Sequence, residues 1–359
     1  MSTIKNPVFN GALIDLGATI EEYNPTYGRI AESGLFEEQG INTTTHMYQI
    51  EKQPNTRMTK LTSRTGRESM SVIKGKRKAV NLSSVTVKED GGVHVEDLQN
   101  VLQSWDLEQE EGFAEAVAKE ARRLADVGAA NLEYIAFTAT QGIVRDPYNG
   151  DAAIDQFANT GTVRSTATID ANPATQNLLS DLNALRNQVS TLNGFNGNFG
   201  EIEVVVSDAD FTAITSHPDL ISRYQLALQG TGGLYLGNEI LNGNIGIKQK
   251  SRYGWAQEFR FENIVFRTYP QKFYRWDGEV VEPTEKGKAW TIVHGATGLY
   301  EAKFCPAPYV SQLRQKGQKW FARSTGIKDD THLDITIESH NMYFMTRPEM
   351  SIDITITTA

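Results

Sequence analysis

Cysteine is all but missing from this 359-residue chain: Cys305 stands alone. One thiol excludes a disulfide framework and every CxxC-type zinc or redox centre, so folding is not expected to need an oxidising compartment. Long apolar runs are missing as well. No stretch approaches the roughly 18 consecutive apolar residues a membrane helix requires, and the mean hydropathy is -0.41. The opening residues MSTIKNPVFN show no positive cap followed by an apolar stretch, so no secretory leader is expected. Six histidines (46, 94, 217, 294, 332 and 340) are dispersed without paired or HExxH spacing, so no zinc site is readable. Together these absences lead to the expectation of a soluble chain made in the cytoplasm.

A basic excess is also lacking. The net charge is -9, against the basic balance of a dedicated nucleic-acid binder. That average conceals two blocks. Nine basic residues and one acid lie between Lys52 and Lys78, a local charge of +8 that leaves -17 for the remainder. From Glu96 to Glu115 there are seven acids and no Lys or Arg. The rest is of ordinary globular composition, 39% hydrophobic and 22% charged, which excludes a disordered chain; the length suggests about two domains.

Residues 1–40 carry Gly, Asn and Pro punctuation and read as an extended arm with one short helix near 27–38. Residues 41–95 read as two strand-like limbs around a tip with little core of its own. Thr44, His46, Tyr48 and Ile50 alternate on one limb, Val80, Leu82, Val85 and Val87 on the other, and Asp90-Gly91-Gly92 reads as the closing turn. From Asp97 the apolar period becomes 3.6, with Leu98, Val101, Leu102 and Trp105, then Phe113, Val117, Leu124, Val127, Leu132 and Ile135. This predicts a helix of 30–40 residues, broken near Gly112, with the cations Lys119, Arg122 and Arg123 complementing its dipole. A second amphipathic helix is expected from Asn172 as N-cap and Pro173 at its first position. Ile202–Val206 reads as a buried strand, and Asp208 as the cap of a further helix, so this region is an α/β layer. At the C-terminus Leu333-Ile335-Ile337 and Ile352-Ile354-Ile356 alternate with polar residues, with Asn341–Thr346 between them. Two such strands are not stable alone, and the long helix is the expected cover for their apolar face.

No motif carries chemistry. Gly230-Thr231-Gly232-Gly233 lacks the GK[ST] ending of a phosphate loop, 146–155 misses the calcium-loop spacing, no GxSxG elbow is present, and Cys305 reads as a core residue. No catalytic residue, metal site or cofactor is expected. The basic stretch leaves three readings open: a solvated loop, a nucleic-acid patch, or a complement to an acidic surface on another copy of the chain. Absent stacking aromatics weaken the second. The chain supplies the acids for the third, at 96–115 and around Glu21, Glu22, Glu32, Glu37 and Glu38.

These parts, in this order, resemble the lambda-type major capsid proteins of tailed phages, the major capsid protein E family. The resemblance runs over the arm, the loop beginning Ile41-Asn42-Thr43-Thr44, the helix, 136–157, Tyr274-Arg275-Trp276-Asp277-Gly278, Gly295-Ala296-Thr297-Gly298-Leu299-Tyr300, and Arg347-Pro348-Glu349-Met350 before the last strand. It implies the α+β Hong Kong 97 capsid fold: N-terminal arm 1–40, extended loop 41–96, peripheral domain 97–170 with a spine helix, inserted axial domain 171–330, and closing strands 331–359. It further implies a non-enzymatic shell subunit of the virion head, self-assembling into hexamers and pentamers around double-stranded DNA, with scaffold, portal and a decoration protein as further partners and no membrane. Met1 opens the chain, so the arm is expected to be kept uncleaved. The contact residues expected on the loop are Arg57, Lys60, Arg64, Arg67, Lys74, Lys76, Arg77 and Lys78, and their acidic partners on a neighbour Glu108, Glu110, Glu111 and Glu115. An encapsulin-like compartment shell, a cytosolic α/β enzyme and a nucleic-acid binder stand as rival readings.

Overall fold

In a computed structural model of the chain, Gln109–Ala139 forms one helix, α1, of 31 residues, about 46 Å long at 1.5 Å per residue. The structure describes residues 3–4, 14–15, 30–31, 33–51, 77–94, 96, 109–175, 177–194, 199–222, 245–248, 257–269, 272–328 and 332–358. The chain divides into two compact units, each assembled from three separated stretches. The first unit is Met1–His46, Leu82–Phe137 and Glu301–Tyr343; the second is Met47–Asn81, Thr138–Tyr300 and Phe344–Ala359.

The first unit is built where α1 meets a sheet. Val117, Ala121, Leu124 and Ala125 share one helical face and are buried with Leu333, Ile335 and Ile337 of strand His332–Met345 and Val93 of strand Val85–His94. Full burial of one large aliphatic side chain stabilises by about 1.5–3 kcal/mol, so this seam dominates the unit. The covering role expected of the long helix is therefore seen for 333–337. The other strands of the sheet are Phe321–Lys328, Tyr300–Phe304 and Glu37–Gly40, the last running parallel to 301–304.

The second unit holds a seven-stranded mixed sheet in the order Ile245–Lys248, Glu258–Phe261, Ile264–Thr268, Ile202–Val206, Lys288–Val293, Asp353–Thr357, Thr166–Asp170. Helix α3 (Leu178–Asn193) packs against Thr166–Asp170 and buries Leu178, Leu182, Leu185 and Val189. Short helix α2 (Gln156–Thr160) precedes it, and α4 (Asp208–Thr215) packs against Ile264–Thr268. Strand 202–206 is buried at all five positions, as its unbroken apolar run suggests.

Several local expectations are corrected. Asp90-Gly91-Gly92 is strand, not turn: Gly91 pairs with Ile335 and Gly92 with Asp334. Gly91 has no positive φ. A Cβ on it would stand 2.5 Å from Glu120 Oε1 and 3.0 Å from both Leu124 methyls, so its glycine lets α1 approach the sheet. Helix α1 runs unbroken through Gly112, and its last turn has no basic residue. Lys119, Arg122 and Arg123 sit mid-helix, where the dipole has faded. Residues 97–108, expected as the helix start, lie outside the described residues. The arm helix near 27–38 is not formed over 33–38, where a turn leads into strand Glu37–Gly40.

Asn172 caps a turn rather than a helix. Its side chain accepts from Ala174 N at 3.0 Å, and α3 starts at Leu178. Ser207, not Asp208, is the N-cap of α4: its hydroxyl accepts from Asp210 N at 3.2 Å. The closing strands belong to different sheets, and 341–345 is no connector but the second half of one 14-residue strand. That half is buried at every position, so it shows no alternation to read.

The glycine assignment is directly testable. Gly91→Ala should lose about 1–3 kcal/mol through overpacking, and Gly91→Asn should lose more because it is larger. A turn glycine would rank them the other way, and urea midpoints of the two variants decide.

Candidate self-association surface

The two limbs of the extended loop, Thr45–Glu51 and Arg77–Ser83, pair with each other. Their base is anchored by apolar and aromatic contacts. Ile50, Val80 and Leu82 are buried, and the Tyr48 ring stacks on Phe344 with centroids 5.0 Å apart. Of the eight expected loop cations, Arg57, Lys60, Arg64, Arg67, Lys74 and Lys76 lie outside the described residues. Arg77 opens the return limb, and Lys78 follows it half-buried, its ammonium donating to the Asn159 carbonyl at 2.7 Å. Among the expected acids, Glu108 lies outside the described residues. Glu110 and Glu111 fall in the first turn of α1, and Glu115 is exposed one turn further on. Further along, Glu120 is engaged within the chain. Arg123 donates to it at 2.6 and 2.8 Å and holds its carboxyl below the usual carboxylate range. Among the described residues the structure thus places Lys78 and Glu115 individually, while most members of the expected pairs lie outside what it describes.

Two charged arrangements are missed by the sequence reading. The first is Glu133, fully buried in α1, whose carboxylate accepts the backbone N–H of Ile30 at 2.7 Å and of Ala31 at 2.9 Å. A carboxylate facing two amide donors is a charge-assisted clamp, and it ties the end of the arm to the helix over 102 positions of sequence. Only its position inside the apolar stripe, between Leu132 and Ile135, marks it as unusual.

The second lies on one face of the seven-stranded sheet. Arg267 reaches three carboxylates: Nη1 to Glu203 at 2.5 Å, Nη2 to Glu201 at 2.8 Å, and Nε to Glu258 at 3.0 Å. His294 Nε2 meets Glu203 at 2.5 Å, and Arg260 pairs with Glu201. Burial works to lower the Arg267 pKa, but Glu203, Glu201 and Glu258 outweigh it and hold the guanidinium well above its ordinary value. Strand pairing explains the convergence, since Glu258 and Arg267 are cross-strand partners and Val205 lies opposite Arg267 in turn. Donor atoms of Glu201, Glu203 and His294 lie within 4.8 Å of one another, a spacing that suits a metal ion. The Arg267 guanidinium already neutralises two of those ligands, so the donor set fits a structural ion-pair ladder. Cys305 is buried, and burial pushes its thiol above the ordinary value, the opposite of an activated nucleophile.

This architecture is found in known proteins. The fold matches a crystal structure described as a prophage capsid protein of E. coli CFT073, with TM-score 0.56 and 11% identity over 95% of this chain and 98% of that one. It also matches the capsid structure of cyanophage P-SCSP1u, with TM-score 0.50 and 10% identity over 99% and 93% of the two chains. The fold is thus of the Hong Kong 97 capsid type, α+β as expected. The family described as phage major capsid protein E matches residues 13–356, nearly the whole chain, and the chain belongs to that family. It is also 21% identical to the major capsid protein of Salmonella phage Felix O1 (isolate Felix O1-VT1) over 95% of both chains. The protein is therefore a structural subunit of the phage head and not an enzyme; the compartment-shell and enzyme readings are not favoured.

Both buried arrangements yield predictions. Glu133→Gln keeps one acceptor but turns an NH2 toward the second amide, and should cost about 1–3 kcal/mol. Urea unfolding together with faster hydrogen exchange at Ile30 and Ala31 checks it. Arg267→Met strands three carboxylates and should cost about 3–5 kcal/mol. A calorimetric melt unchanged from the parent protein would contradict the ladder.

Proposed function

We propose that this chain builds its shell by lending its extended loop to a neighbour, the loop cations lying across the acidic start of the adjacent copy's α1. The observation that carries the reading is the charge segregation, +8 over 52–78 and seven uncompensated acids over 96–115, within a chain of the major capsid protein E family. The assigned pairs draw on Arg57, Lys60, Arg64, Arg67, Lys74, Lys76, Arg77 and Lys78 against Glu108, Glu110, Glu111 and Glu115. Each exposed pair contributes about 0–1 kcal/mol. Repetition around a ring fixes orientation and register more than it adds affinity. Lys78 engages Asn159 through one of three ammonium protons, which leaves two for a neighbour.

On this reading the copies close into hexamers and pentamers. The arm is 1–40, the loop 41–96, the peripheral domain 97–170 completed by 331–359, and the axial domain 171–330. The compact units divide the chain elsewhere, after Phe137 and before Glu301, so these roles are assigned by family resemblance and not by compactness. Scaffold and portal guide assembly and a decoration protein caps the finished shell. A net charge of -9 suits a wall that encloses double-stranded DNA without gripping it.

Sedimentation over rising concentration, with negative-stain microscopy of the fast fraction, tests the shell. Pentamers, hexamers or closed particles are expected, and a dimer independent of concentration contradicts the reading. Replacing Arg64, Arg67, Arg77 and Lys78 together by Glu should abolish particles while circular dichroism stays native. Intact particles from that variant would sink the loop assignment.

A further inference from the structure

The second unit carries an exposed aromatic tip. Tyr148 and Trp276 stack with centroids 5.1 Å apart and ring planes 4° from parallel, yet remain 58% and 71% exposed; Tyr274 beside them is 69% exposed. Large aromatics left in water need an explanation. The tip is also held in shape. The 146–151 turn is closed by Gly150 N to the Asp146 carbonyl at 2.8 Å and by Arg145 Nη1 to the Gly150 carbonyl at 3.1 Å. Phe273–Tyr274 pairs with Val280–Val281, and Arg275 bridges to Glu279. Its rim is acidic, four carboxylates (Asp146, Asp151, Asp277, Glu279) against the two guanidiniums of Arg145 and Arg275.

The first unit carries a patch of the opposite sign. Residues 305–328 contain five cations and no acid. Val310 is 87% exposed and Leu313 70%, with Arg314 and Lys316 exposed beside them. This loop too is fixed. The Tyr309 hydroxyl donates to Glu338, Gly317 N donates to the Ile41 carbonyl at 2.8 Å, and Arg314 is held at φ 67°. Lys319 is engaged by Glu38 and Arg323 lies over the Tyr309 ring, so within the 310–316 loop the outward charge belongs to Arg314 and Lys316.

We propose that the Tyr148–Trp276 tip of one copy docks on the Val310–Lys316 loop of a second copy. Leu313 and Val310 cover the aromatic faces, Arg314 stands over a ring as a cation, and the acidic rim meets Lys316. Both surfaces are pre-organised, so little ordering opposes the contact. The two patches differ in kind and lie on different residues of each copy, so the joint is head-to-tail and generates rings or open lattices rather than closed pairs. The inference rests on the shell reading above but is independent of the extended loop.

The test uses the full chain with Asp277→Cys and Gln315→Cys, both exposed positions, against a buried Cys305. After mild oxidation the double variant should give a ladder of covalent multimers on a non-reducing gel. The two single variants should give a dimer only when mixed. Adding Trp276→Glu, checked as folded by its melt, should abolish the ladder, and Trp276→Phe should keep it. Sedimentation of the same samples separates this inference from the shell reading. Particles without a ladder overturn the docking alone, a ladder without particles upholds it against the shell, and neither overturns both.

Discussion

A helix of 31 residues with an apolar stripe along one side cannot stand in water by itself, and the strand that covers it comes from more than two hundred residues later in the chain. The contact between Val117, Ala121 and Leu124 and the Leu333-Ile335-Ile337 face is therefore the constraint on which the first unit depends. Everything else there is arranged to permit it. Gly91 removes a side chain where the helix crosses the sheet, and Gly128 does the same for Trp320, whose ring would stand 2.7 Å from an added Cβ. Glu133, on the same helix, then fixes the arm through two amides rather than through apolar area. The helix is at once core element and mooring.

Patterns of short period were legible in the sequence. The helical repeat over Val117–Ile135, the buried run Ile202–Val206 and the alternation at Leu333–Ile337 each report which way neighbouring side chains face, and each appears in the structure, except that Val127, expected on the helix stripe, is 39% exposed. The failures share a cause too. Gly91-Gly92 looks like a turn because glycine is read locally, whereas here it serves a helix lying across the strand. Asn172-Pro173 is a sound helix-start pattern that a local turn absorbed, five residues before the helix itself. Alternation vanished over 341–345 because both faces of the strand are covered. Local chemistry proposes, and long-range packing decides.

The site follows the same logic. The charge blocks were visible as counts, but a pairing between copies leaves no trace in the spacing of one chain. Glu203, Arg267, Glu258 and His294 were unremarkable singly, scattered over 91 positions, and only parallel and antiparallel pairing gathers them. The ladder replaces apolar packing across a sheet face by ion pairs whose energy depends on every member being present. Such an arrangement specifies strand register at some cost in robustness.

Strand Asp353–Thr357 is not at the edge of its sheet; it lies between Lys288–Val293 and Thr166–Asp170, pairing antiparallel with the first and parallel with the second. During translation, 166–170 therefore emerges long before the strand that joins it to the rest, and the seven-stranded sheet stays open until residue 357 has left the ribosome. Chains still being made lack a finished second unit. The topology thus sets an order on folding: residues 166–170 wait more than 180 positions of chain for the strand that ties them to the rest of the sheet.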